Sequence, residues 1–210
     1  MAMLLIHGGL WDDIGADEFW RATGIVARLQ RRGVAVCAPD RLVRAVSWSA
    51  EADHLAAVLP DARPVTVVAG SNGCSPAVRL ALDHPGVVER LVLAWPATAG
   101  DPGVDTRIRA GLADLGAAPQ VVDALLGGAT LRGVTNHELA TIRMPVALLP
   151  AVPDNPTHQR RTVDALLRIL PHAVELPGCP EPPRPEFPPY LEPFCEAVAR
   201  FATGLPATPL

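Results

Sequence analysis

The sequence predicts an α/β domain with a mostly parallel sheet of six strands and helices on both faces. Three observations carry that reading. Short apolar runs at residues 3–6, 34–37, 65–70, 91–94, 145–150 and 172–176 alternate with segments of helical period. The runs at 3–6, 34–37, 91–94 and 145–150 are continuously apolar rather than alternating, as strands buried on both faces are. At residues 65–75, a β-branched run stops at Ala69-Gly70-Ser71-Asn72-Gly73 and an Ala/Leu/Val-rich helix pattern follows, a strand–turn–helix with a serine at the turn.

Composition sets the outer bounds. A chain of 210 residues with 49 % apolar and 19 % charged residues suits one domain with its own core. The formal charge of −4 argues against a nucleic-acid surface. All 18 basic residues are arginine, which with the abundant Ala, Pro and Gly reads as coding bias rather than function. The apolar start lacks a basic leader and runs straight into His7-Gly8-Gly9, so it reads as a strand and not a signal peptide. No apolar stretch is long enough for a membrane span. Cys37, Cys74, Cys179 and Cys195 are widely spread without a C-x-x-C pair, which suggests reduced thiols in the cytoplasm and no zinc site. No metal or cofactor is called for by any spacing, and a small molecule is the expected partner.

Taken in order, the strand at 3–6 leads into His7-Gly8-Gly9-Leu10-Trp11. A helix is expected over 17–32, ended by Gly33, then a strand at 34–37 with Ala38-Pro39-Asp40-Arg41 as its exit loop. Ser49 is placed to cap a helix running to Leu59, and residues 60–64 form a connector. The Ser71 turn and its helix follow, ended at Pro85-Gly86, then a strand around 91–94. From 97 to 143 the strand rhythm disappears and Ala/Leu-rich helical pieces are broken by glycines, which reads as an inserted helical cap over a cleft. After the strand at 145–150, Asn155 is placed to cap a helix beginning at Pro156. The proline-rich stretch 177–185 can be neither helix nor central strand, and a final helix is expected over 191–201. Sites in such sheets lie at the carboxyl ends of strands, where all the unusual loops fall.

His7-Gly8-Gly9, then the turn at Ser71, then Pro153-Asp154 after the fifth strand resemble the α/β-hydrolase superfamily in content, order and spacing, over nearly the whole chain. The resemblance implies a compact member of three-layer α/β/α architecture that begins at the strand before the oxyanion loop. It implies Ser71 as nucleophile, Asp154 as the acid of a triad, the backbone N–H groups of Gly9 and Asn72 as an oxyanion hole, and a structural role for His7. Trp11 and Trp95, after strand ends, either line an apolar pocket or simply pack under the cap.

One residue departs from the pattern. The family places its catalytic histidine after the last strand, where this chain reads Gly178-Cys179-Pro180-Glu181, and no histidine follows residue 172. Glu181 is therefore expected to approach Asp154 and the Ser71 hydroxyl. His158, close behind Asp154 in sequence, is either a relocated base or a surface histidine at a helix start. Three functional readings stand open: hydrolysis of a small apolar ester or acyl substrate, a non-hydrolytic lyase, isomerase or cyclase using Glu181 and Asp154, or a ligand-binding pseudoenzyme.

Overall fold

The computed structural model describes residues 1–12, 14–59 and 64–205. Asp13, most of the expected connector (residues 60–63) and the tail from residue 206 lie outside them. Six strands form one wholly parallel sheet: β1 (Ala2–Ile6), β2 (Ala35–Cys37), β3 (Val65–Gly70), β4 (Val88–Ala94), β5 (Val146–Leu149) and β6 (Ala173–Glu175), in the order β2-β1-β3-β4-β5-β6.

Strand alternation sorts the core into two layers. Leu4, Ile6, Val67, Ala69, Leu91, Leu93 and Leu148 face α2 (Trp48–Val58), α3 (Cys74–Asp83), α6 (Asn136–Thr141) and α7 (Arg160–Ile169). Met3, Leu5, Val68, Val92, Ala147 and Leu149 face α1 (Ile25–Arg31) and α8 (Leu191–Ala202). In the two central strands the runs Val67–Ala69 and Leu91–Ala94 are apolar and fully buried because both of their faces are covered there.

Residues 97–143 divide. Helices α4 (Pro102–Asp114) and α5 (Pro119–Leu126) build a separate small cluster from Leu112, Ala117, Val122, Leu125 and Leu126, packed on Trp48 and against Leu10 and Trp11. Helix α6 instead sends Leu139 into the main core beside Leu131, Val134 and Ile142.

Three expected elements differ in detail. The helix over 17–32 is interrupted: a single π-turn at Asp17–Arg21 is followed by Gly24 at φ 84°, a conformation open to glycine, and α1 starts only at Ile25. The cap of α2 is Ser47, whose hydroxyl accepts from Ala50 N at 3.1 Å, while Ser49 bonds to Asp83. Asn155 does not start a helix. Its side chain accepts from the N–H groups of Thr157 and His158 in a tight turn, and α7 begins five residues later.

Helix α6 opens with a capping box in which Thr135 and Glu138 satisfy each other's backbone N–H groups. The Glu138 carboxylate also takes two bonds from Arg79, and chiefly these pull its pKa down to about 2. A carboxyl held below its unfolded value of about 4.3 contributes stability that is complete above that value and fades as pH falls through the folded one. Melting temperature is expected to hold from pH 7 to about 5 and then to drop steadily toward pH 2. Glu138→Gln should flatten part of that drop in a pH series of thermal melts, and an unchanged slope would refute the assignment.

Candidate active site

The Ser71 turn is built as its residue types require. Strand β3 ends at Gly70, Ser71 sits at φ 54°, and a 3₁₀ turn (Ser71–Gly73) runs into α3. A non-glycine residue in that region is strained and is kept only where its surroundings impose it. Gly73 is required by contact: a Cβ there would stand 2.9 Å from the Ile6 carbonyl oxygen and closer still to that of His7. A Cβ on Gly8 would be 3.0 Å from the Ser71 Cβ, so the loop after β1 lies directly against the serine. The N–H of Asn72, in the first turn of a helical segment, has no partner inside it.

The partner of Ser71 is His158. The serine Oγ lies 2.8 Å from His158 Nε2, and His158 Nδ1 lies 2.8 Å from Glu181 Oε2. With Nδ1 donating its proton to the carboxylate, Nε2 accepts from the serine hydroxyl. The imidazole is only 7 % exposed, not a surface residue, because the Asn155 turn directs it inward before α7 begins. Glu181 is largely buried. Desolvation works to raise its pKa, yet the bonds from His158 and from Arg184 Nε, the latter 2.7 Å long, hold it below the usual carboxylate value.

Asp154 is not brought to this chain of contacts. Its side chain is exposed and accepts from Arg160 N at 3.4 Å, and Glu181 meets His158 instead of Asp154. Relative to the expected arrangement the two side chains stand on exchanged loops: histidine after β5, carboxylate after β6. The two loops leave the sheet side by side. Cys179 N donates to Pro150 O and Val152 N donates to Cys179 O, extending the β5–β6 pairing past the strand ends. A Cβ on Gly178 would collide with Val152 and Pro150, so the approach depends on that glycine.

Trp95 fastens the same place from below. Instead of lining a pocket it is fully buried, stacked on Phe194 with ring centres 5.3 Å apart, and its indole N–H donates to Cys179 O at 2.8 Å. It packs in the core because φ 50° turns it down from the end of β4 into the aromatic cluster with Phe19 and Phe187. Trp11 is half-buried, donates to Ala45 O, and lines a cavity of about 250 Å³ together with Gly9, Asp12, Asp40, Arg41 and Arg44. Ser71, His158 and Glu181 are not among the lining residues. Cys179 is no nucleophile in this state: burial pushes its thiol up to about 12. Among the described residues no group of three or more His, Cys, Asp or Glu side chains is placed to hold a metal ion.

Sequence reasoning missed what holds the loop after β1. Arg41 is buried, pairs with buried Glu51 through two bonds of 2.6 and 2.9 Å, and donates from Nη1 to the carbonyls of His7, Gly8 and Gly9 at 3.1, 2.9 and 2.8 Å. Arg41 N donates to His7 Nε2, so the His7 ring carries its proton on Nδ1 and donates to Gly8 O. Burial and then the nearby Arg41 charge lower the His7 pKa and keep the ring neutral. In a trans peptide the N–H opposes the C=O. Holding Gly8 O against Arg41 therefore turns the Gly9 N–H away from the guanidinium. An acidic residue in the first turn of α2 and an arginine in a loop were visible in the sequence, but not that they meet.

The sheet order, the serine turn and the flanking helices define an α/β-hydrolase fold. No protein-family model and no curated protein sequence matches the chain. Solved structures do match. A meta-cleavage product hydrolase from Pseudomonas fluorescens superposes with TM-score 0.71 at 17 % identity, over 97 % of this chain and 90 % of that one. NosK from Streptomyces actuosus gives 0.66 at 19 %, over 96 % and 98 %. A lipase-esterase related protein from Clostridium acetobutylicum gives 0.64 at 13 %, over 95 % and 93 %. Identities this low establish the fold and not the activity. Among the described residues no helix is long and apolar enough to cross a membrane.

Proposed function

We propose that the protein is a serine hydrolase that cleaves small, mostly apolar esters or related acyl compounds through a Ser71–His158–Glu181 triad. The observation that supports it is the pair of 2.8 Å contacts joining serine Oγ to imidazole and imidazole to carboxylate. Ser71 Oγ attacks the substrate carbonyl while His158 Nε2 takes its proton, and Glu181 stabilises the imidazolium and holds the ring in the correct tautomer. Charge developing on the carbonyl oxygen meets the N–H groups of Gly9 and Asn72. The imidazolium then protonates the leaving alcohol. Water, deprotonated by the same histidine, releases the acid from the acyl-serine. Helices α4 and α5, over Leu10 and Trp11, would serve as the cap that excludes water from this step.

A fluorophosphonate probe tests the reading. Covalent mass addition located on Ser71, absent in Ser71→Ala and strongly slowed in His158→Ala, is the expected result. Labelling of His158→Ala at the wild-type rate would overturn the triad. Asp154→Asn separates the two possible acids: turnover of an activated ester should stay within about threefold of wild type, since the exposed carboxylate touches neither Ser71 nor His158. A hundredfold loss in that variant would return the acid's role to Asp154.

A further inference from the structure

Arg132 is a charged side chain that hydrolysis by itself does not require to be where it is. It is 1 % exposed and lies on the turn between α5 and α6. Its Nη1 donates to Asn72 Oδ1 at 2.9 Å, on the residue that follows Ser71. Its Nη2 donates to Thr98 O at 2.6 Å and to Asp105 Oδ1 on α4 at 3.2 Å. Thr98 in turn clasps both neighbours of His158: its N–H donates to Thr157 O at 2.8 Å, and its Oγ1 accepts from Gln159 N at 2.9 Å. One guanidinium therefore grips the nucleophile turn with one nitrogen and the support of the base with the other. We propose that Arg132 is a positioning residue that sets the Ser71–His158 distance and the Asn72 N–H together.

The cost of keeping this cation argues that the geometry matters. A buried charge with a single carboxylate partner is seldom a net gain over an apolar residue of similar volume, and the Asp105 side chain is 24 % exposed. The Nε is buried with no hydrogen-bond partner, a further penalty. What arginine supplies and an apolar residue cannot is a rigid planar fork whose donors reach separate elements at once. The turn that carries it is itself fixed, since Arg79 on α3 donates twice to Gly133 O and pairs with Glu138 on α6.

The test has two readouts, because the inference rests on the triad reading and the two must be able to fail separately. The first is hydrolysis of an activated ester. Arg132→Met should lower kcat by about 10–10²-fold with KM nearly unchanged, the size of effect that a small misplacement of catalytic groups produces. The second is the histidine-ring NMR signals, which need no turnover. Those of His158 should move or double in Arg132→Met while those of exposed His137 stay put. A folded Arg132→Met protein with wild-type kcat and wild-type His158 signals overturns the proposal. Should that variant not fold, Arg132→Lys decides: it keeps a charge beside Asp105 but loses the fork, and wild-type kcat and ring signals there also overturn it. If the wild-type protein neither hydrolyses nor labels, the triad reading fails, and the ring signals alone still settle the role of Arg132.

Discussion

If the proposed triad operates, removing the imidazole of His158 is expected to cut ester turnover by roughly 10⁴–10⁶-fold, about as much as removing the Ser71 hydroxyl, because members of a triad act as a unit. The double variant should be little worse than either single one, since the residual rate comes from backbone donors and binding. Glu181→Gln is the sharper probe. Its amide NH₂ can donate to Nδ1, which places the ring proton on Nε2, facing Ser71. The ring then cannot accept the serine proton, and a loss of about 10⁴-fold is expected. Glu181→His, which would restore a base at the position where the resembled family keeps one, should lose activity here, because in the proposed triad that position supplies the acid. Steady-state kinetics on an activated ester check all five variants, and a gain in Glu181→His would refute the exchange of roles.

The largest loss of stability is expected at Arg41. Arg41→Met leaves the Glu51 carboxylate, 2 % exposed, without its partner. Breaking a buried ion pair from one side typically costs about 3–5 kcal/mol. For a domain of this length each kcal/mol lowers the melting temperature by roughly 2–4 °C, so thermal melts should show a fall of about 6–20 °C. Replacing both partners with apolar residues, Arg41→Met with Glu51→Leu, should recover much of that loss, since no charge is then stranded. Activity should not recover with it. The three carbonyls of His7, Gly8 and Gly9 would still lack their common donor, and a misaligned Gly9 N–H is expected to lower kcat by up to about 10²-fold. A double variant that regains both stability and kcat would show that Arg41 does not orient the loop.

Local chemistry alone determined a good part of this protein. Six apolar runs bounded by turn residues specify strands whatever surrounds them, and the spacing Ala69-x-Ser71-x-Gly73 specifies a strained turn because only small residues fit against β1. The carboxyl-edge placement of the loops follows from the parallel connection rule. Tertiary structure decided the rest. Whether Asn155-Pro156 opens a helix or a turn depends on Thr98, 59 to 61 positions away from its contacts at 157 and 159, and that choice is what turns His158 inward. Which carboxylate reaches the imidazole depends on the β5 and β6 loops being paired beyond the strands and pinned by the Trp95 indole, contacts that no periodicity records. Arg41 with Glu51 and Arg132 with Asn72 are likewise long-range bonds. A charged residue in a loop carries the same sequence signal whether it ends in water or in the core, and only the folded chain supplies the partners that make its burial tolerable.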